Sequence, residues 1–307
     1  MNQLETPVAF IVFNRPETTR RVFATIAAAR PTHLLIVADG PRDDRSGESE
    51  RCEEVRRIVN KVDWPCRVDR NFAEQNMGCR RRVVSGLNWV FSLVEEAIIL
   101  EDDCLPDPSF FPFCSELLER YRYQVNVGLI GGFNPLEKNL PCSYSYFFSV
   151  MVNIWGWATW RRAWLEYDEN IRTWPDVKSS GVLRSLFPNK RAATYWTHIF
   201  DAMYAGTGPN TWDYQWAYTC WTRSWLLVLP SRNLVQNIGV GADATHTATA
   251  DADLLLSAGQ MNFPLKHQPA IMAWPGHAKL MQSRFYTPGI LPRIKRKLLS
   301  QIRSVAK

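Results

Sequence analysis

The chain reads Ala97-Ile98-Ile99-Leu100-Glu101-Asp102-Asp103 at the end of its first third. Four apolar residues in succession are typical of a buried strand, and three carboxylates follow where that strand ends. Because adjacent negative charges repel one another, the pattern indicates that a positive group offsets them. Carboxylate oxygens are the ligands that Mg²⁺ and Mn²⁺ prefer. The alternative interpretation is an acidic turn on the surface.

Strands and helices alternate on both sides of this run. Apolar runs predict strands at 8–13, 34–38, 129–134 and 146–150, with a weaker strand at 66–68, and helices are predicted over about 16–29, 51–61 and 79–94. Strands separated by helices in this way indicate βαβ units with right-handed crossovers. We therefore predict an α/β fold with a Rossmann-like mixed sheet flanked by helices.

Polar residues also follow the first two strands, Asn14 after the first and Asp39 after the second. The carboxyl ends of parallel strands share one edge of a sheet, and ligands bind there in open α/β sheets. The sequence contains neither GxxxxGK[ST] nor GxGxxG, the glycine-rich loops that cradle phosphates. A phosphate would therefore be held by a cation and by basic side chains such as Arg15.

Three motifs stand at these strand ends. They are Asn14-Arg15-Pro16, Asp39-Gly40, and Glu101-Asp102-Asp103 with the turn Pro106-Asp107-Pro108-Ser109-Phe110-Phe111 after it. Together they resemble the GT-A glycosyltransferases, most closely N-acetylglucosaminyltransferase I and bacterial family-2-like enzymes. The likeness extends over about residues 8–247, where Gly156-Trp157 and Trp212-Asp213-Tyr214-Gln215-Trp216 look like acceptor-side motifs. It implies a GT-A fold and a nucleotide-sugar donor, with the acidic triplet as a form of the DxD motif.

The resemblance also implies a role for each matching residue. Asp103 would ligate Mn²⁺ or Mg²⁺, and Asp102 would bind the ribose. Glu101 would act through these two residues. Asp39 would accept a hydrogen bond from the base, and Arg15 would contact the nucleotide or the diphosphate. The remaining predicted contacts to the nucleotide sugar are Asn14, Gly40 and Trp157. His246, in a glycine-containing loop, would complete the metal ligands or touch the leaving diphosphate.

Asp213 is the predicted general base, which would take a proton from the acceptor hydroxyl in an inverting displacement. The alternative is an aspartate that caps a helix or forms a salt bridge. Tyr214 stands where the resemblance expects a second carboxylate. Glu166 and Asp201 are the other candidates for the base.

Tryptophan is concentrated in the second half of the chain, with ten of the thirteen tryptophans between residues 155 and 225. Large aromatic side chains usually pack in the core, but their flat faces also suit stacking on sugar rings. We therefore predict a nucleotide-sugar-binding half at 1–104 and a tryptophan-rich, acceptor-binding half of the same domain at 105–289.

Residues 290–307 form a basic tail, predicted as an amphipathic helix. Residues 293–307 carry six basic residues and no acidic ones, which equals the net charge of +6 of the whole chain. The rest is close to neutral, so no nucleic-acid-binding surface is expected. The tail suits peripheral contact with an anionic membrane; a frayed terminus or a protein partner are the alternatives.

Cysteine spacing and hydropathy bear on localisation. The seven cysteines form no CxxC pair, no apolar run is long enough to span a bilayer, and the first residues lack the pattern of a secretion signal. We expect a cytoplasmic protein, peripheral on the inner face of the cytoplasmic membrane.

The predicted function is that of a metal-dependent glycosyltransferase in bacterial surface or extracellular glycan synthesis. It would transfer a hexose or N-acetylhexosamine from a nucleotide-diphosphate sugar, UDP-linked by preference, to a hydroxyl of a glycan or lipid-linked glycan. Two alternatives remain open: a sugar-phosphate nucleotidyltransferase, and a catalytically silent, membrane-docked protein that binds nucleotide sugars.

Overall fold

A computed structural model describes residues 3–139, 142–239 and 256–286. The chain divides into two compact units. The larger comprises the chain up to Glu169 together with Pro209–Trp274, and the smaller comprises Asn170–Gly208 and the chain from Pro275 onward. His246 and the tail at 290–307 lie outside the described residues.

The larger unit contains an eight-stranded mixed sheet, so the predicted α/β class with a mixed sheet is confirmed. In chain order the strands of the structure are β1 Val8–Val12, β2 His33–Ala38, β3 Arg67–Phe72, β4 Glu96–Glu101, β5 Cys104–Pro106, β6 Val127–Gly131, β7 Tyr146–Ser149, β8 Trp157–Trp160, β9 Leu226–Pro230 and β10 Val235–Asn237. The order across the sheet is β3-β2-β1-β4-β8-β6-β9-β7, and β5 pairs separately with β10.

The first four strands of the sheet are parallel, so their carboxyl ends meet at one edge. β8 then runs antiparallel to β4, with Trp157 opposite Ile99. The amino end of β8 therefore lies beside the carboxyl end of β4. As a result, the residues before Trp157 reach the same edge as the acidic triplet.

Six helices belong to the larger unit and four to the smaller within the described residues. They are α1 Pro16–Ala29, α2 Glu48–Val59, α3 Cys79–Leu93, α4 Phe110–Tyr121, α5 Arg161–Trp164 and α9 Asp213–Thr222 in the larger, and α6 Trp174–Ser180, α7 Val182–Leu186, α8 Lys190–Tyr204 and α10 Pro275–Phe285 in the smaller. Pro16 opens α1, where its missing N–H costs no hydrogen bond.

Two apolar layers cover the sheet. Alternate residues of β1 face opposite sides: Phe10 belongs to the layer that contains residues of α1, α2 and α4, and Ala9 belongs to the layer that contains residues of α3, α5 and α9. Both faces of the central strands are therefore buried, which explains their unbroken apolar sequences.

Most of the tryptophans between residues 155 and 225 belong to these layers or to the core of the smaller unit. Eight of the ten are buried, and Trp155 and Trp221 are half-buried. The packing interpretation is therefore correct for most of them.

None of the helices in the described segments is long and apolar enough to cross a bilayer.

Candidate active site

A cavity of about 650 Å³ opens in the larger unit at the carboxyl edge of β1, β2 and β4. Seven residues that the sequence singled out line it: Asn14, Arg15, Asp39, Glu101, Asp102, Asp103 and Asp213. These side chains come from the ends of three parallel strands and from the first residue of α9. The structure thus brings together residues that lie up to 199 positions apart in the chain.

The acidic triplet lines this cavity, and Arg15 is its counter-charge. Arg15 Nη1 lies 2.8 Å from Asp103 Oδ2 and 3.6 Å from Asp102 Oδ1. Asp102 also accepts a hydrogen bond from the backbone N–H of Phe13, at 3.1 Å. The alternative of an acidic surface turn is therefore wrong, because these carboxylates line a cavity and form defined contacts.

Burial makes the charges of this cluster costly. It raises the pKa of Glu101 and of Asp102, and the neighbouring carboxylates, above all Asp103, raise both further. Burial opposes the charge on Arg15, but Asp102 and Asp103 outweigh it and raise the pKa of the guanidinium. The three carboxylates of the triplet face one arginine. The cluster therefore has an excess of negative charge, which a bound cation would offset.

Asp39 anchors a turn at the β2 end of the cavity. Its Oδ1 accepts from the N–H groups of Gly40 and Met77, and its Oδ2 accepts from Gly78 N and Asn76 Nδ2, at 2.9–3.2 Å. Burial raises the pKa of Asp39, against the effect of these hydrogen bonds. Asp39 therefore shapes the cavity wall, with its four hydrogen bonds made within the chain.

Glu48 holds the rim of the cavity next to Phe13. Its carboxylate is fully buried and accepts from Asn14 Nδ2 at 2.8 Å and from the backbone N–H and guanidinium of Arg42. The Arg42 guanidinium lies over the ring of Phe13, 5.6 Å from its centroid. Asn14 and Arg42 are thus fixed in place by one acid that the sequence did not single out.

Asp213 faces the acidic cluster from α9. It is the first residue of that helix, where a carboxylate is favoured by the helix dipole, and the Thr211 hydroxyl donates to its Oδ1. The nearby thiol of Cys79 has its pKa raised to about 12 by burial and then by Glu101 and Asp213, so it is uncharged. Asp213 therefore accepts a hydrogen bond from Thr211 and also lines the cavity.

The other candidates for the base do not line the cavity. Glu166 forms a salt bridge with Arg223, and Asp201 accepts from Lys178 and Trp174 within the smaller unit.

Two of the predicted ligand contacts do not line the cavity. Trp157 is 1% exposed and packs against Trp212 and Trp216 in the core, so it has no face for a ligand. Gly40 is not among the residues that line the cavity. A Cβ at this position would lie 2.5 Å from the backbone of Gln75, so glycine allows the two backbone segments to pack closely.

Ile238 and Gly239, two residues of the glycine-containing loop that leads to His246, lie against the triplet. The N–H of Ile238 donates to the Asp103 carbonyl at 2.8 Å, and a Cβ on Gly239 would lie 2.3 Å from Asp103 Oδ2. Only glycine fits this approach without displacing the carboxylate. The described part of this segment is therefore built around Asp103.

A divalent cation is compatible with this donor set. Within 3–139, 142–239 and 256–286 no three Asp, Glu, His or Cys side chains form a ready-made metal cluster. Mg²⁺, however, is usually held by one or two carboxylates and completed by water and substrate phosphates. Asp103 and Asp102, with the excess of acid around them, provide that partial set of oxygen donors.

Several cavity residues were not predicted from the sequence as site residues: Arg42, Arg82, Trp155 and Thr211. Arg82 is buried at the first turn of α3 and donates to Asn71. The signal for Trp155 was present, since it directly precedes the Gly156-Trp157 motif. Arg42 and Thr211 lie in loops whose positions depend on distant contacts.

No protein-family model and no curated protein matches this chain.

Proposed function

We propose that this protein is a metal-dependent glycosyltransferase of the GT-A type, acting on a nucleotide-diphosphate sugar and a carbohydrate hydroxyl. The observation that carries the proposal is the single cavity shared by Arg15, Asp103 and Asp213 at the carboxyl edge of the parallel strands. It combines a partial cation site, a fixed positive charge and a separate carboxylate, which are the groups that such a transfer needs.

Each residue has a role in the proposed reaction. Asp213 accepts the proton of the acceptor hydroxyl as its oxygen attacks the anomeric carbon, and the Thr211 hydroxyl orients that carboxylate. The bond between the anomeric carbon and the diphosphate oxygen breaks as the new glycosidic bond forms. Arg15 stabilises the charge that develops on the diphosphate. Asp103 and Asp102 would hold a cation, which would supply additional electrostatic stabilisation of that leaving group. Inversion at the anomeric carbon follows from the family resemblance.

The test compares Asp103→Asn, Asp213→Asn and a matched surface control, Asp44→Asn, whose side chain is 78% exposed. Binding of UDP-sugars is measured by thermal shift with and without Mn²⁺, and release of nucleoside diphosphate is measured with saccharide acceptors. We expect Asp103→Asn to lose Mn²⁺-dependent binding. Asp213→Asn should retain binding and lose about 10²- to 10⁴-fold in turnover.

The outcomes separate the alternatives. Normal turnover in both site variants would show that the roles are misassigned. Release of pyrophosphate from a nucleoside triphosphate and a sugar phosphate would indicate a nucleotidyltransferase. Binding without release of any diphosphate would indicate a silent binding protein.

A further inference from the structure

Trp155 differs from the other tryptophans of the 155–225 stretch in that it contributes a half-buried ring to the cavity wall. Trp212 also lines the cavity but is 2% exposed, and Trp221 is half-buried elsewhere. A half-buried tryptophan that lines a cavity leaves part of its surface uncovered by the protein. Its exposed surface is therefore available to a ligand.

The ring is held in place before any ligand arrives. Trp155 packs on Phe133, with 4.6 Å between the ring centroids, and is in contact with the main core cluster. The adjacent Gly156 has φ 63°, and its carbonyl accepts from the N–H of Gly132 at 2.7 Å. A pre-organised ring loses little conformational freedom when a ligand stacks on it.

The topology fixes where this ring lies relative to the charged groups. Trp157 is opposite Ile99 in the β4–β8 pair, and Trp155 precedes the amino end of β8, so it lies at the edge of the sheet where β4 ends in Glu101. Asp39 follows β2 on the other side of the triplet. With strands ~4.8 Å apart, three spacings separate β2 from β8, roughly 14 Å. Asp39 and Trp155 therefore line the same cavity from strands on opposite sides of β1 and β4, which lead into Arg15 and the acidic triplet.

A nucleotide sugar has this same order of parts: a base, a charged diphosphate and a sugar ring. We propose that the sugar ring of the donor stacks on Trp155, with the diphosphate at Arg15 and Asp103; this inference rests on the proposed function. The C–H face of a pyranose is apolar and matches the flat indole, and the hydroxyls at its edge remain free to bond the polar cavity wall. Trp155 is a sugar-binding residue in this arrangement and takes no part in proton transfer.

The experiment measures the affinity of wild type, Trp155→Ala and Trp155→Phe by calorimetry in excess Mn²⁺. The probes are UDP, GDP and dTDP, each alone and as its hexose and N-acetylhexosamine conjugate. We expect Trp155→Ala to bind the conjugate about 5- to 30-fold more weakly, as for truncation of a buried aromatic contact, with unchanged affinity for the matching nucleoside diphosphate. Trp155→Phe should recover part of the loss. Trp89→Ala, at a half-buried tryptophan of α3 outside the cavity, is the matched control and should leave both affinities unchanged.

Three results would overturn the inference. An equal loss for diphosphate and conjugate would show that Trp155 supports the cavity as a whole. Unchanged donor affinity with a raised KM for the saccharide acceptor would place the acceptor on this ring. If wild type binds none of the probes, the proposed function fails and this inference fails with it, whereas the first two results leave the proposed function standing.

Discussion

Arg15 Nη1 lies 2.8 Å from Asp103 Oδ2, so a residue in the turn after β1 neutralises a carboxylate beyond β4. The two side chains are only 22% and 19% exposed. The pair therefore reduces the repulsion within the triplet, and it also places a guanidinium where the proposed diphosphate would lie. Stability and the proposed ligand binding would therefore depend on the same contact.

Removal of Arg15 should expose this dependence. Arg15→Gln leaves three carboxylates without their nearest positive charge, and we expect the free energy of unfolding to fall by about 1–3 kcal/mol, because the pair is only partly screened by solvent. Mn²⁺ should restore part of the loss by binding the same carboxylates. Urea denaturation in EDTA and in Mn²⁺ measures both effects.

Arg20→Gln is the control for this experiment. Arg20 pairs with Glu17 and Glu54 on the surface, and its loss should change the stability by less than about 1 kcal/mol in either buffer. If Arg15→Gln is as stable as wild type in EDTA, the triplet does not require a positive charge.

Acid stability should depend on His277 in the smaller unit. Burial lowers the pKa of this imidazole to about 3 in the folded state, against about 6.5 in the unfolded chain. Below pH 6.5 the unfolded state therefore takes up a proton that the folded state does not. The stability is fully present above pH 6.5 and falls as the pH falls, by at most about 1.4 kcal/mol per pH unit.

His277→Gln should flatten this slope, as measured by urea midpoints between pH 7 and pH 4.5. His198→Gln, at an exposed position of α8, should retain the wild-type slope. The same slope in wild type and His277→Gln would show that the buried imidazole does not control acid stability.

Most strands of the sheet could be predicted from the sequence, but β8 and β9 were not. Both faces of β1, β2 and β4 are covered, so each of these strands is a nearly continuous run of apolar residues that the sequence shows directly. β8 has the sequence Trp-Ala-Thr-Trp, which has no clear period, and its position depends on pairing with β4 and β6. β9 is an apolar run of the same kind as β1, but it is not among the predicted strands.

The residues of the candidate site could likewise be predicted where the signal is local in the sequence, and not where it depends on distant contacts. Polar residues at the ends of parallel strands predicted the lining of the cavity, because topology alone brings those ends together. Which of two nearby tryptophans faces the cavity depends on where β8 begins, and Trp157 begins it in the core. The turn held by Asp39 depends on contacts made 37 to 39 residues further along the chain, which no local pattern contains.

Glu48 should be required for the rim of the cavity. The pKa of Glu48 is lowered, mainly by its hydrogen bonds from Arg42. The ionised pair therefore contributes stability above about pH 4.5, and this contribution is lost as the pH falls further. Glu48→Gln should lower the stability at pH 7 by about 1–3 kcal/mol and weaken the binding of nucleotide sugars, because Arg42 and Asn14 lose their anchor.

Urea denaturation and calorimetric titration check these two effects of Glu48→Gln. Glu54→Gln is the matched control, since Glu54 lies on the same helix and pairs with Arg20 on the surface. Wild-type affinity in a folded Glu48→Gln variant would show that the position of Arg42 does not matter for the ligand.

Gly239 should tolerate no side chain at its contact with Asp103. A Cβ there would lie 2.3 Å from Asp103 Oδ2, so Gly239→Ala must displace either this carboxylate or the backbone after β10. We expect the free energy of unfolding to fall by about 1–3 kcal/mol. Most of the Mn²⁺-dependent binding of nucleotide sugars should be lost, because the displaced atom is the proposed metal ligand. Gly259→Ala, whose Cβ would have no atom nearer than 3.7 Å, is the control and should leave both unchanged. Normal Mn²⁺-dependent binding in Gly239→Ala would separate Asp103 from the cation, since the substitution moves the atom that is proposed to hold it.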